Sequence, residues 1–353
     1  MQTFFSSIVN SPEFKAQYLL KLNVISIIRR FFAERGLLEV EPPILNNALI
    51  PESYLDIFET TEKRIGLEGK IEQKKYLMTS PEAFQKKLLA AGFGSNFAIT
   101  RSFRNGEPLS GKHLSEFSML EWYEQGSNYE NVMQTTEELF TALSAEFAPN
   151  GTIQFGEDTV TLSTPWLRLS INEAFKQFVS IDLEQTWDES TGAFSVKQFE
   201  EVLANRPELG ITVTANTTWE ELFNQILLTY IEPELDPTKP VILYDYPHEL
   251  SPLAKPKNGE KVNGNVWAER FEVMIAGLEI CDTYTENTDP NLQKAAFERE
   301  IAKIEEAKNK TNYPYDWEFV DALKYGLPAC SGNALGIDRV VMLFGNYSQI
   351  LEA

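Results

Sequence analysis

Acidic, aromatic and cationic side chains meet in one stretch of the sequence that alternates like a β-strand. In FSMLEWY, alternation places Phe117, Met119, Glu121 and Tyr123 on one face. A carboxylate on such a face needs a cation or solvent, because an unpaired buried charge is costly. Arg104, at the end of the strand expected opposite, carries a guanidinium that suits phosphate or carboxylate. These residues predict a site for an anion and an amine, and a surface ion-pair network is the alternative.

A second stretch, AERFEVMIAGLEICDTYTENTD, has the spacing of a divalent cation site. A two-residue turn at Ala276 and Gly277 would pair Met274 with Glu279. Glu272 would then be the same-face diagonal neighbour of Glu279, roughly 7–8 Å away at the backbone. Magnesium keeps several waters and takes one or two carboxylates together with substrate phosphates. The spacing therefore predicts a magnesium site at Glu272 and Glu279, and two solvated glutamates at a sheet edge are the alternative.

A third stretch near the C-terminus, GNALGIDRVVML, combines small residues with an arginine. The small residues allow the backbone to approach a neighbour closely, and Arg339 precedes an apolar helical run. Taken alone, a glycine-rich turn with an arginine favours a structural salt bridge. Its value lies in its combination with the other two stretches.

Helices and strands must position these three stretches. Apolar residues at helical spacing predict a long amphipathic helix over residues 12–36, and a second helix fits residues 81–91. Alternation predicts two long antiparallel strands at 96–104 and 116–123. Residues 130–235 are expected to be a mainly helical insertion. Strands grouped with flanking helices, without regular βαβ alternation, favour an α+β domain built on an antiparallel sheet.

Composition limits the class of protein. The 353 residues, 43% of them apolar, can bury one large core or two modest ones. There is no run of about 18 uncharged apolar residues and no secretory signal, so we expect a cytoplasmic protein without membrane association. Two cysteines, Cys281 and Cys330, leave no disulfide framework or CxxC pair and are expected to be buried thiols.

The net charge of −21 disfavours stable binding to a nucleic-acid backbone, because such binding needs spread lysine and arginine side chains. A local basic patch is conceivable, since Arg29, Arg30, Lys86 and Lys87 fall in two sequence pairs. Solvated helix faces are the simpler interpretation of both pairs.

The three stretches, in this order, resemble the three signature motifs of class II aminoacyl-tRNA synthetases, from about residue 20 to the C-terminus. Motif 1 is similar to RRFFAERGLLEVEPP, motif 2 to RSFRN through EFSMLEWY, and motif 3 to ALGIDRVVML. The segments LMTSPE, EFSMLEWY, PHELSPLAK and AERFEVMIAGLEI resemble the lysyl branch. This resemblance implies the class II catalytic fold and ATP- and Mg²⁺-dependent activation of a lysine-like amino acid.

The place of motif 1 extends the resemblance. It starts almost at the N-terminus, which leaves no room before it for the OB-fold anticodon-binding domain of lysyl-tRNA synthetases, so residues 1–353 are expected to form a single catalytic domain. Together with ALG in motif 3 and LLAAGFGSNFAITRSFRN before it, this resembles the stand-alone ligase that attaches (R)-β-lysine to elongation factor P. The resemblance implies elongation factor P as the acceptor and a homodimer formed through motif 1.

The resemblance also implies a nucleotide site. Arg104 should hold the α-phosphate and the amino-acid carboxylate, and Phe117 should stack on adenine. Arg339 should cover the other face of adenine and reach the γ-phosphate. His113 is expected to contact the triphosphate, and Glu107 the adenine amino group.

The remaining implied roles concern magnesium and the amino acid. Glu272 and Glu279 should hold Mg²⁺. Glu82 should bind the amino group nearest the substrate carboxylate, and three residues should bind the distal ammonium: Glu121, Tyr123 and Glu286.

The sequence departs from the family at three places. The motif 2 loop, RNGEPLSGKH, is one residue longer than the RNE form. CDTYTEN stands where the lysyl branch has ANGF-x-EL, so Asp282 replaces an asparagine expected near the substrate carboxylate. A carboxylate there should repel the substrate carboxylate unless it is protonated or turned away. PHELSPLAK is closer to the tRNA-ligating enzymes.

Three other functions fit the same residues. One is an amide ligase that acts on a small-molecule amine. Another is a catalytically silent regulator that binds amino acid or nucleotide, although such a protein would gain little from keeping both magnesium carboxylates. The third is residual tRNA charging.

Overall fold

The computed structural model describes Phe5 and residues 9–66, 69–108, 110–257, 267–307 and 310–351. The helices are α1 (Pro12–Glu34), α2 (Glu82–Ala90), α3 (Tyr129–Phe147), α4 (Ile171–Ala174), α5 (Val196–Leu203), α6 (Trp219–Ile226), α7 (Pro290–Glu306), α8 (Trp317–Gly326) and α9 (Ile337–Gly345). Single π-helical turns, Phe175–Val179 and Leu227–Ile231, follow α4 and α6, and short 3₁₀ turns lie at Leu183–Thr186, Pro207–Leu209, Glu232–Glu234 and His248–Leu250.

The strands are β1 (Leu38–Glu39), β2 (Leu45–Asn46), β3 (Glu59–Gly66), β4 (Gly69–Leu77), β5 (Asn96–Phe103), β6 (Glu116–Gln125), β7 (Thr152–Phe155), β8 (Asp158–Thr161), β9 (Leu167–Ser170), β10 (Trp187–Asp188), β11 (Ala193–Phe194), β12 (Val241–Pro247), β13 (Trp267–Ile275), β14 (Leu278–Thr285) and β15 (Cys330–Gly336). The central sheet has the order β1-β5-β6-β15-β14-β13-β12-β9. Its two edge pairs, β1–β5 and β12–β9, are parallel, and the pairs between them are antiparallel. The expected α+β fold, an antiparallel sheet flanked by helices, is confirmed.

Helix α1 covers one face of this sheet. It begins where the Ser11 side chain accepts the Phe14 N–H at 3.1 Å and Pro12 takes the first helical position. Phe32 packs against Phe97 of β5 and Trp122 of β6, with ring centroids 5.2 and 5.0 Å apart. Alternation along β6 therefore sends Trp122 into the core and its neighbours Glu121 and Tyr123 to the opposite face.

Helix α9 is fixed against the same strand by a buried ion pair. Lys21 of α1 contacts Asp338 Oδ1 at 2.5 Å, and the Ser118 backbone N–H donates to Asp338 Oδ2 at 2.6 Å. Both partners are buried, so the charges are satisfied by each other and by the backbone. This contact places the next residue, Arg339, beside β6 and β14.

Residues 130–235, expected to be a mainly helical insertion, contain strands as well as helices. Helix α3 shares the core of α1, and the part from Ile171 to Leu235 forms a second apolar cluster against β12 and β13. Strand β9 extends the central sheet beyond β12. This region therefore supports the sheet edge that carries β12 and β13.

The two cysteines and the apolar character of the helices lie outside the site. Cys281 and Cys330 are buried free thiols, as expected. Within the part of the chain that the structure describes, no helix is both long and apolar enough to cross a membrane.

Candidate active site

The hairpin of β13 and β14 carries the predicted magnesium carboxylates. Its turn uses Ala276 and Gly277, both with positive φ (50° and 71°), and Met274 pairs with Glu279 as expected. An extra residue in β14 then shifts the register. As a result Glu272 lies directly opposite Asp282 and not opposite Cys281.

Arg270 joins these two carboxylates. Its Nε and Nη2 donate to Asp282 Oδ1 and Oδ2 at 2.9 and 3.0 Å, and Nη2 also donates to Glu272 Oε1 at 2.7 Å. The Tyr246 hydroxyl donates to Glu272 Oε2 at 2.7 Å. The Asp282 carboxylate is thus turned toward the Arg270 guanidinium. A carboxylate at this position was expected to be either protonated or turned away from the substrate carboxylate, and the second condition is met.

The hairpin carries more negative than positive charge. Burial is the largest cause that raises the pKa of Glu272 to about 8; Arg270 opposes this shift, and Glu279 and Asp282 contribute to it. Burial, with a contribution from Glu279, also raises the pKa of Glu232 to about 7. The excess of carboxylates over cationic side chains in this hairpin suits the binding of a cation. Among the described residues no group of three His, Cys, Asp or Glu side chains could hold a metal, so a magnesium ion here would need substrate phosphates and water to complete its shell.

Arg339 connects this hairpin to the motif 2 loop. Its Nη1 donates to the Glu279 carbonyl oxygen at 2.6 Å, and its Nη2 lies 3.1 Å from His113 Nε2. Burial, then Arg339 and to a smaller extent Arg104, lower the pKa of His113, whereas Glu107 and Glu279 oppose this shift. Four predicted nucleotide residues therefore lie within electrostatic reach of His113.

Arg104 carries a donor that no described residue satisfies. Its guanidinium carbon lies 5.3 Å from the centre of the Phe117 ring, and its buried Nε has no hydrogen-bond partner among the described residues. A buried donor without a partner in the folded chain fits an anionic ligand such as phosphate or carboxylate.

A lysine occupies the centre of the predicted amino-acid pocket. Lys86 is 2% exposed, and its ammonium bridges Glu82 and Glu286. The Tyr284 hydroxyl donates to Glu82 Oε1 at 2.9 Å. The interpretation of Lys86 as part of a solvated helix face is therefore wrong, because α2 packs with this face inward; Arg29 and Arg30 are exposed as expected.

Negative charge exceeds positive charge in this pocket too. The Tyr123 hydroxyl donates to Glu121 Oε1, while Glu121 Oε2 is buried and has no partner among the described side chains. Burial raises the pKa of Glu121 well above its usual value, and Glu82 adds to the shift. Burial likewise raises the pKa of Glu286 to about 8, with Lys86 opposing. Three carboxylates thus share one ammonium.

Gly332 of β15 allows this close packing. A Cβ atom at this position would lie 2.2 Å from the Tyr123 ring and 2.7 Å from Glu286 Oε1. Only glycine fits without displacing both side chains.

The sequence interpretation missed Glu52, which lies in the loop after β2. It accepts hydrogen bonds from the Tyr54 hydroxyl at 2.8 Å and from Thr79 Oγ1 at 3.2 Å. Burial raises the pKa of Glu52, Arg104 lowers it and Glu82 raises it. Glu52 therefore lies between the nucleotide side and the amino-acid side of the site, and no periodicity or motif in its loop indicates this position.

The predicted residues form one continuous site. Contacts and charge effects run from Phe117 and Arg104 to His113, Arg339 and Glu279, and from Glu272 to Asp282 through Arg270. Burial raises the pKa of Asp282, and a smaller contribution from Glu82 joins the amino-acid pocket to the hairpin.

Comparison with known proteins matches this arrangement. The family model for the class II tRNA synthetases (D, K and N) matches residues 4–353. The chain is 31% identical over 351 residues to the lysine–tRNA ligase of Dehalococcoides mccartyi, covering 99% of this chain and 65% of the relative. It is 32% identical over 354 residues to that of Carboxydothermus hydrogenoformans (99% and 67%) and 33% identical over 330 residues to that of Buchnera aphidicola (94% and 60%). The chain thus spans about two thirds of the length of these relatives.

Proposed function

This chain belongs to the class II tRNA synthetase family of the D, K and N enzymes, and from that premise we propose that it activates a lysine-like amino acid with ATP and Mg²⁺ and passes it to a lysine of elongation factor P. The observation that carries the proposal is the buried Nε of Arg104, which has no hydrogen-bond partner among the described residues and belongs to a guanidinium that acts on Glu52 and packs near Phe117.

Charge supports a diamino acid as the substrate. Glu82, Glu121 and Glu286 share a single internal cation, Lys86. A ligand that brings two ammonium groups supplies the missing positive charge, and burial strengthens each pairing. A β-lysine or lysine molecule has this charge, whereas a monoamino acid leaves one carboxylate unpaired.

The first half-reaction needs positioning more than proton transfer. The amino-acid carboxylate attacks the α-phosphorus in line, and pyrophosphate leaves. Arg104 holds both reacting anions and neutralises the charge between them. Phe117 and Arg339 enclose the adenine, Arg339 and His113 face the phosphates, and Glu107 lies at the adenine edge. Glu272 and Glu279 would hold Mg²⁺, which when bound neutralises phosphate charge.

An amine acceptor is supported by the charge of the chain and by the resemblance of ALG in motif 3, at Ala334, to the elongation factor P ligase. A net charge of −21 disfavours a polyanionic acceptor such as tRNA.

The experiment is intact-mass measurement of purified elongation factor P after incubation with the chain, ATP, Mg²⁺ and (R)-β-lysine. We expect the mass to rise by one β-lysyl group. An unchanged acceptor mass, under conditions in which the chain exchanges pyrophosphate, would reject elongation factor P.

The names of the relatives favour a second candidate, in which activated lysine passes to tRNA. Parallel reactions with tRNA discriminate the two, because the second candidate gives acid-precipitable lysyl-tRNA. A third acceptor class, a small-molecule amine, is favoured by Asp282, whose pairing with Arg270 changes the wall of the pocket; free amide products would reveal it.

We further propose that residues 1–353 act as one catalytic domain and that two copies associate through motif 1. Support comes from the solvent face of α1, where Tyr18, Leu19 and Leu22 are 38–49% exposed. Sedimentation velocity tests this, and a monomer at micromolar concentration would contradict it.

A further inference from the structure

A cavity of about 350 Å³ lies beside the site. None of the ligands proposed above is assigned to it. It opens between α2, α8 and the loop that follows β2. About half of its lining residues are apolar, among them Pro43, Leu49, Ile50, Met78, Ala83 and Phe84, and the rest are polar or charged. The volume falls within the range of small-molecule sites and accommodates an aliphatic side chain.

The charged groups of the cavity are mostly acidic. On the outer side, Lys87 contacts Asp316 and Glu318, each at 2.8 Å, and the Glu318 side chain is 82% exposed. Glu52 also lines the cavity, and its carboxylate is paired with no described cation. Three carboxylates therefore face one ammonium. Apolar walls with excess negative charge suit a primary alkylammonium group.

Glu52 lies at the end of the cavity that adjoins the reacting centre. Thr79, which donates to Glu52 Oε2, is also a lining residue. After burial, the charges of Arg104 and Glu82 have the largest effects on the pKa of Glu52. Arg104 is where the carboxylate and the α-phosphate meet in the proposed adenylate. A group entering the cavity would thus meet Glu52 just before it reaches the adenylate carbonyl.

We propose that this cavity admits the alkylammonium side chain of the acceptor and that Glu52 is the general base that takes its proton. This inference rests on the proposed transfer to an amine. It adds the path of the acceptor and a catalytic residue for the second half-reaction.

The chemistry requires such a base. A lysine ammonium has a pKa of about 10.4, so its nitrogen has no lone pair at neutral pH. One N–H proton passes to the Glu52 carboxylate, and the neutral amine attacks the adenylate carbonyl. The C–N bond forms, the C–O bond to phosphate breaks, AMP leaves, and the second proton passes to solvent. Burial raises the pKa of Glu52, which brings its basicity closer to that of the amine.

The experiment compares two kinds of acceptor for the same adenylate. Elongation factor P and n-butylamine present an alkylammonium that must lose a proton, whereas hydroxylamine is largely neutral at pH 7 and needs no base. Glu52→Gln should lower the ratio of alkylamine transfer to hydroxamate formation on the order of 100-fold, the scale of general base catalysis. Glu52→Asp keeps the carboxylate and should recover part of the ratio. Glu298→Gln, a half-exposed glutamate of α7 that pairs with Lys294, is the matched control and should keep the wild-type ratio.

The possible outcomes separate this inference from the proposed function. A fall in the ratio confined to the Glu52 variants supports the base. Equal loss of both products in Glu52→Gln, or no loss of either, overturns it, as does wild-type protein that forms the hydroxamate but acylates neither alkylamine. Absence of pyrophosphate exchange in wild-type protein would instead reject the proposed adenylation itself.

Discussion

Arg270 holds the carboxylate of Asp282 through two hydrogen bonds of 2.9 and 3.0 Å, donated by Nε and Nη2. The paired geometry uses both oxygens of the carboxylate and two nitrogens on one edge of the guanidinium. Asp282 therefore belongs to an internal ion pair and does not present a free negative charge to the substrate carboxylate. The substitution of asparagine by aspartate at this position is compatible with amino-acid binding for that reason.

Replacing Asp282 with alanine should destabilise the fold. Arg270 has a side chain only 17% exposed and would lose two charge-assisted bonds, so the free energy of unfolding should fall by about 1–3 kcal/mol. Asp282→Asn keeps one acceptor oxygen and should cost less. Urea unfolding measures both changes, and an alanine variant as stable as wild type would show that the pair contributes nothing.

Much of the scaffold was predictable, because the spacing of apolar residues in long helices and strands is easily recognised in the sequence. The helix over 12–36 and the strands over 96–104 and 116–123 were predicted within a few residues of α1, β5 and β6. The turn at Ala276 was also predicted. The register beyond it was not, because one extra residue in β14 moves Glu272 from Cys281 to Asp282. The position of a one-residue bulge cannot be located from the alternation of polar and apolar residues alone.

The amino-acid pocket was harder to predict, because burial depends on neighbours distant in sequence. Glu82 and Lys86 have the i, i+4 spacing of an ordinary surface pair, yet both are buried against Glu286, some 200 residues later. The family resemblance supplied Glu82 and Glu286 but not Lys86. Glu52 had no signal at all, since only the folded loop brings it to Thr79 and Arg104.

Lys86→Met should be far more damaging than the same change at the next residue. Removing the ammonium leaves Glu82 and Glu286 buried without a cation, which costs about 3–5 kcal/mol of unfolding free energy. Lys87→Met is the matched control: its side chain is 25% exposed and its pairs with Asp316 and Glu318 are partly solvated, so about 1 kcal/mol or less is expected. Chemical unfolding compares the two variants, and losses of equal size would refute the internal role of Lys86.

Stability should fall as the pH rises from about 5 to about 8. The pKa of Glu286 is raised from 4.5 to about 8 in the folded state, and the pKa of Glu121 is raised as well. The folded state therefore binds more protons than the unfolded state in this window, so its advantage is full below about 4.5 and is lost as the pH passes through about 8. Glu272 and Glu232 contribute with the same sign.

Unfolding free energies measured at half-unit pH intervals test this slope. Glu286→Gln should flatten it, because the amide does not titrate. A wild-type stability that increases steadily between pH 5 and pH 8 would contradict the charge excess of the pocket.

Weakening the hairpin carboxylates should change the magnesium requirement. Glu279→Gln removes one expected ligand charge, so the Mg²⁺ concentration for half-maximal pyrophosphate exchange should rise by about tenfold or more, a range seen even for partners outside the metal shell. Glu298→Gln should keep the wild-type value, and a chelator should abolish exchange in all three proteins until Mg²⁺ is restored. An unchanged magnesium dependence in Glu279→Gln would remove this residue from the metal site.

The most direct measurement is ATP–pyrophosphate exchange by purified protein across a panel of amino acids, with Arg339→Ala and Arg339→Lys beside wild type. Arg339 bridges the Glu279 carbonyl and His113. Its loss in Arg339→Ala should therefore lower exchange on the order of 100- to 1000-fold, and the Arg339→Lys variant should recover only part of the wild-type rate. The proposed function predicts Mg²⁺-dependent exchange that diamino acids stimulate and monoamino acids do not. Failure of every amino acid in the panel to stimulate exchange would contradict it, and so would an Arg339→Ala protein as active as wild type.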